Sequence, residues 1–264
     1  MEASLYLISA VVSFCASVAG AVCGIGGGVL IKPILDAFGI LSVASISFLS
    51  GCTVLSMSCY SVVKSQAGGV SLVDKGTGTP LALGAAIGGV MGKAVFQYLS
   101  DLVTDKDQVG AIQALCLLLI TLGTLIYTLK MERIRTHRVK NPGMCVIIGL
   151  VLGVFSSFLG IGGGPINLVV LFFFFSMDMK TASQNSLYII LFSQAASFMN
   201  TLVTGDVSEF QIGLLIVMAA GGVLGGAAGR RVNRHMEGEI VNRLFMGLMA
   251  MIMAICVYNM IRFM

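Results

Sequence analysis

The chain has 264 residues, 57% of them hydrophobic and 11% charged, with a mean hydropathy of +0.97 and a net charge of +4. Soluble globular domains carry about a quarter charged residues. An ordinary soluble domain, a disordered chain, a nucleic-acid-binding arm and a disulfide-stapled secreted module are therefore excluded, and a membrane-embedded helical bundle remains. In chain order, apolar runs near the roughly 20 residues that cross a bilayer occupy residues 5–22, 43–63, 80–99, 109–129, 143–159, 181–203, 210–229 and 243–263. Two runs are too short to cross: residues 29–40 and 165–177. The prediction is an all-α polytopic bundle with eight full spans and two half-length helices. The first span is not read as a cleaved signal peptide. Glu2 is its only early charge, and a glycine cluster follows it instead of a small-x-small site. The seven cysteines have no CxxC spacing and an odd count, so they read as buried small side chains rather than disulfides or metal ligands.

Orientation follows from Lys and Arg in short loops. Lys130, Arg133, Arg135, Arg138 and Lys140 crowd one loop, and Arg230, Arg231, Arg234 and Arg243 another. With Lys64, Lys75 and Lys180 they put twelve of the sixteen basic residues on one face. Asp101, Asp105, Asp107, Asp206 and Glu209 fall on the other face, with Lys106. The expected topology has the basic loops in the cytoplasm and both termini outside the cell membrane.

Gly24-Ile25-Gly26-Gly27-Gly28 recurs as Gly160-Ile161-Gly162-Gly163-Gly164, at an offset of 136. Further on, Ala44-Ser45 matches Ala182-Ser183 at an offset of 138. Each copy reads long span, glycine cluster, short span, three long spans. Five segments is an odd number, so the second copy enters the membrane from the opposite side, and the charge bias agrees. The expected organisation is a first repeat over residues 1–129, a basic cytoplasmic loop over 130–142 and an inverted second repeat over 143–264. Inverted halves with matching glycine-interrupted, undersized segments point to the substrate site of a secondary transporter.

A helix of about a dozen residues rises roughly 18 Å, too little to cross. The two clusters are thus expected to meet near the midplane. The first N–H groups of each short helix lack intrahelical partners, and the positive dipole end favours an anion. Gly26, Gly27 and Gly28 with Gly162, Gly163 and Gly164 are the predicted backbone ligands. Lys32 lies within the first short helix, where a cation is expensive without a role; it either counters the substrate's charge or pairs with Asp36 at i+4. Asn167, Gln184, Asn185 and Ser186 are further candidate donors. At the 138 offset the last three align with Ile46, Ser47 and Phe48. Ser50, Thr53, Ser193, Gln194 and Asn200 read as hydrogen-bonding glue between helices.

The doubled cluster, with Pro33 in the first copy and Ala182, Ser186 and Leu187 after the second, resembles the TauE/SafE family of sulfite and organosulfonate exporters. The resemblance covers nearly the whole chain. It implies a polytopic permease for small sulfur-containing anions that draws on the proton gradient. In place of the family's usual Gly-Thr-Ser, the chain has Ile46-Ser47-Phe48 and Gln184-Asn185-Ser186.

The expected function is alternating-access transport of a small oxyanion, sulfite or a sulfonate. The rivals are an anion channel of the same architecture and a carrier for a small carboxylate. Enzymatic activity is not expected. His137 and His235, the two histidines, both fall in basic loops, and no HExxH or GxSxG context occurs. No cofactor or metal is expected. The expected partners are a small anionic substrate and the lipid bilayer, with a proton as candidate coupling ion and a homodimer as candidate assembly; nucleic acid is excluded.

Overall fold

Helix ends follow local chemistry in a computed structural model that describes residues 2–39, 41–68, 72–102, 106–205 and 210–263. Helices α1 (Glu2–Cys23), α2 (Gly28–Phe38), α3 (Val43–Ala67), α4 (Lys75–Leu102) and α5 (Lys106–Lys130) form the first half. A single 3-10 turn (Met131–Arg133) leads into α6 (Pro142–Leu159), α7 (Gly164–Phe175), α8 (Met179–Thr204), α9 (Ile212–His235) and α10 (Gly238–Phe263). Ser42, Asn141 and Asp178 cap α3, α6 and α8 with side-chain oxygens on first-turn N–H groups. Gly160 ends α6, and Gly205 ends α8, in the left-handed region that glycine adopts without strain. α2 and α7 begin differently: neither has a side-chain cap.

Among the described residues, eight helices are long and apolar enough to cross a membrane, and these match the eight predicted spans. α2 and α7 have 11 and 12 residues. Large apolar side chains stay exposed in stripes, as at Leu83, Ile87, Met91 and Val95 along α4, which suits a face turned to lipid. Asp105, Asp206 and Glu209 lie outside the described residues, so their share of the acidic face has no structural counterpart here.

Packing repeats between the halves. α1 lies along α9 as α6 lies along α4; α3 meets α9 as α8 meets α4. α3 and α8 cross each other, α5 meets α10, and α2 rests on α10 as α7 rests on α5. The closest seams are built on glycine. A Cβ on Gly84, Gly88 or Gly92 of α4 would sit 2.0–2.3 Å from the carbonyl oxygens of Val146, Leu150 and Val154 on α6. Gly225 and Gly229 of α9 approach the Phe14 and Val18 carbonyls of α1 in the same way, a Cβ there falling at 2.4 Å. Glycine alone allows this approach.

These contacts correct the repeat register. Gly24 presses on Ser183, and its counterpart Gly160 presses on Ser47. Ser47 therefore corresponds to Ser183, so the offset between α3 and α8 remains 136 rather than changing to 138. Gln184, Asn185 and Ser186 correspond to Phe48, Leu49 and Ser50. The Ala-Ser match was a coincidence of composition. With the corrected register, a buried serine stands at position 50 and at position 186, each with a hydroxyl that has no hydrogen-bond partner.

Candidate functional site

The two glycine turns meet. A Cβ on Gly28 would lie 2.5 Å from the Ile161 carbonyl oxygen; one on Gly26, 3.6 Å from the Gly162 carbonyl oxygen; one on Gly164, 2.7 Å from Val29. Residues 24–30 and 161–165 are buried. Gly24, Gly26, Gly162, Gly163 and Gly164 all have positive φ, from +56° to +103°. That conformation turns successive N–H groups toward a common concavity. The uncapped starts of α2 and α7 add first-turn donors beside the same junction.

Apolar side chains close the junction itself. Val54 and Ile190, equivalent at the 136 offset and fully buried, sit against both turns: Val54 beside Gly26, Gly28 and Gly162, Ile190 beside Gly26 and Gly163. Two cavities lie beside the serines that press on the turns, Ser47 on Gly160 and Ser183 on Gly24, and their linings largely correspond between the halves. The first, about 40 Å³, is lined by Ser47, Gly51, Ser157, Ser197 and Thr201, with Lys93 from α4. The second, about 70 Å³, is lined by their equivalents Ser183, Leu187, Ala21, Ser61 and Ser65, with Arg230 from α9. Lys93 and Arg230 are themselves equivalent, because each follows the last glycine of its seam (Gly92, Gly229) by one residue. The hydroxyls of Ser47, Ser157 and Ser61 are buried without hydrogen-bond partners. Among the described residues, the first cavity thus offers two orphan hydroxyls (Ser47 and Ser157) and the second one (Ser61), each cavity also lined by a cationic side chain. The first also holds Gln113 and Gln194, and the second Gln184, Asn233 and Arg234.

The predicted site residues divide into three groups. Gly26, Gly28, Gly162, Gly163, Gly164 and Asn167 come together at the junction, whereas Gly27 packs against Ser17 and Gly20 of α1; the Asn167 amide folds over Gly163, where a Cβ would meet its nitrogen at 2.5 Å. Gln184 borders the second cavity, but its side-chain oxygen accepts from Ser65 Oγ (3.1 Å) and from the Leu72 N–H (3.0 Å). Asn185 accepts from the Asp74 N–H and donates to the carbonyls of Leu72 and Thr181. These two amides latch residues 72–74 onto α8, and Ser186 lies buried beside them. Lys32 is not at the junction. It pairs with Asp36 at 3.3 Å, both residues buried, on the side of α2 that faces α10.

Lys93, Arg230, Ser47, Ser61, Ser157 and Gln113 were missed by the sequence reading. One signal was present: Lys93 stands inside an apolar span, where an ionisable residue implies a role. The serines needed the corrected register before their pairing could be seen.

The family described as "Sulfite exporter TauE/SafE" matches residues 9–256 of this chain. The chain belongs to the TauE/SafE family. It is also 25% identical over 118 residues to the "Probable membrane transporter protein MamO" of Magnetospirillum gryphiswaldense, across 43% of this chain and 19% of that protein. The chain thus matches about a fifth of that relative's length. No solved structure matches it. Its family and the eight long apolar helices among its described residues make it a multi-pass membrane protein of a transporter family.

Proposed function

We propose that this TauE/SafE protein carries a small oxyanion, sulfite or an organosulfonate, across the cell membrane by alternating access. The reading treats residues 1–129 and 143–264 as inverted repeats joined by the basic loop 130–142. It puts both termini outside, with a proton as coupling ion. One observation carries it: two similar cavities, each with at least one orphan hydroxyl and a cation, are bordered by the serines that press on the two glycine turns, Ser47 on Gly160 and Ser183 on Gly24. An anion reaching the junction from either cavity would meet N–H donors and the positive ends of α2 and α7. It would exchange hydration for protein donors of comparable strength.

Gly26, Gly28, Gly162, Gly163, Gly164 and Asn167 are the proposed inner ligands. Ser47, Ser157 and Lys93 receive the anion on the outer side, and Ser61, Ser183 and Arg230 on the cytoplasmic side. The side assignment rests on the loops: Gly68 lies beside Arg230 and Arg234, so the basic segments after α3 and α9 converge at one end. Tyr6 donates to Gln211 at the other end. Val54 and Ile190, buried against the turns and lining neither cavity, favour a carrier over a channel. Purified protein should be stabilised against heat by sulfite or a sulfonate, and proteoliposomes should show saturable uptake with trans-stimulation. Unsaturated conductance without counterflow would make the protein a channel; stabilisation by small carboxylates alone would reassign the substrate.

A further inference from the structure

The second half has no counterpart of the Lys32–Asp36 pair: the equivalent positions are Leu168 and Phe172. The pair breaks the symmetry of an otherwise repeated bundle, and both members are more than nine-tenths buried. Desolvating two charges is costly, so the pair calls for a role that the repeat does not supply.

Its surroundings are short of donors. Asp36 Oδ2 accepts from Lys32, whereas Asp36 Oδ1 has no partner among the described residues. A small cavity of about 10 Å³ is lined by Lys32, Asp36, Gln113 from α5, and Cys256 and Asn259 from α10. Gln113 donates its amide nitrogen to the Phe158 carbonyl at 2.6 Å, and Asn259 donates to the Pro33 carbonyl at 2.8 Å. Those bonds fix which end of each amide is oxygen, and both oxygens are buried without a donor. Three residues lining one cavity therefore each have an unpaired acceptor oxygen. Leaving such atoms unpaired is expensive, and a proton on Asp36 converts one acceptor into a donor. The other charged group acting on Asp36 is Arg262 of α10, which donates to the Asp36 and Ala37 carbonyls. Cys256 is the remaining titratable neighbour. Gln113 also lines the outer anion cavity.

We propose that Asp36 is a proton-binding site coupled to the outer anion cavity through Gln113. This rests on the anion-carrier reading and locates its coupling proton. Asp36 Oδ1 takes a proton from water on the outer side, and the O–H bond formed donates to a neighbouring amide oxygen. Lys32 keeps its charge, so the pair changes from net zero to plus one. The added positive charge favours an anion in the adjoining cavity. By linkage, a bound anion favours the proton to the same degree.

The test measures affinity by calorimetry across pH, with methanesulfonate and sulfate as probes because their charge is constant between weakly acidic and weakly alkaline pH. Wild-type affinity should rise on acidification by about tenfold, within the usual range of coupling. Asp36→Asn, which fixes the neutral state beside a charged Lys32, should be flat with pH at the wild type's acid-limit affinity. The double variant Lys32→Met with Asp36→Leu should fold, since apolar replacement of a buried pair is tolerated. It should be flat at the lower, alkaline-limit affinity. Asp36→Asn retaining the wild-type slope, a pH-independent wild type, or sodium substituting for protons would overturn the proposal. If neither probe binds at any pH, the carrier reading fails. Infrared spectroscopy then decides the proton site alone: a carboxylic-acid band titrating in wild type and absent from Asp36→Asn upholds it, and no such band refutes it.

Discussion

Gly28→Ala and Gly26→Ala separate contact between the turns from backbone strain within them. Gly28 lacks a positive φ, so alanine suits its backbone, although at the first position of α2 it gains less than the roughly 1 kcal/mol of a helix interior. Its Cβ, however, would lie 2.5 Å from the Ile161 carbonyl oxygen and 2.9 Å from Val54, up to roughly 1 Å inside normal contact. Such overpacking costs about 1–3 kcal/mol, so the net loss of stability is about 1 kcal/mol and the two turns are wedged apart. At Gly26 the positions are reversed. The new Cβ finds its nearest atoms at 3.4–3.6 Å, but a φ of +73° costs a non-glycine residue about 1–2 kcal/mol. Melting temperatures of the two variants should thus fall by similar amounts. Anion affinity should not follow suit. Displacing one charge-assisted amide donor removes about 1.5–3 kcal/mol, so Gly28→Ala should weaken sulfite binding by about tenfold or more, with Gly26→Ala within a few-fold of wild type. Calorimetry on purified protein, with a thermal melt of each variant, reads both quantities. Equal affinities in the two variants would refute the claim that the junction is the anion site.

Lys93→Met should raise the half-saturation concentration about tenfold for anion presented from the outer side, and Arg230→Met for anion from the cytoplasmic side, each reflecting one lost charged hydrogen bond; oriented proteoliposomes assayed from both sides check this. Val54→Ala combined with Ile190→Ala should join the cavities and convert coupled exchange into leak, measured as anion efflux without a trans substrate. Asp178→Ala should cost about 1 kcal/mol as a lost helix cap. Burial opposes ionisation of Asp178, but hydrogen bonds from Thr181 and Lys180 outweigh it and hold the carboxyl below its usual range. Its contribution is therefore complete above the unfolded-state value near 3.9 and is lost as pH falls through the lower folded-state value. The gap between wild-type and Asp178→Ala melts should close over that acidic window.

Hydropathy was enough to read the spans, because lipid requires long apolar helices. The length of residues 29–40 and 165–177 likewise disclosed two helices that cannot cross, and the repeated glycines disclosed where they turn. The cavities were hidden for a different reason. They are made by α3 and α8 meeting α4 and α9, and the Ala-Ser match at positions 44–45 and 182–183 misaligned those helices by two residues, hiding Ser47 opposite Ser183. Gln184 and Asn185 read as ligands by their chemistry, yet they hold residues 72–74, a tertiary partner with no local signature. Lys93 carried a signal, an ionisable residue inside an apolar span, but Lys32 beside the glycines drew the notice and proved to be paired with Asp36.

The glycine seams carry a mechanical consequence. Where α4 and α6, or α9 and α1, touch main chain to main chain, carbonyl oxygens lie against Cα hydrogens along several turns. The side chains in those seams are small, such as Ser17 and Ala21 of α1 against Gly225 and Gly229. Under the proposed alternating access, each couple would move as one stiff beam, hinged where larger side chains interleave, as Phe48 of α3 does with Phe198 of α8. The scaffold's least yielding parts thus carry Lys93 and Arg230, so each cation would travel with its beam rather than reach for the anion on its own.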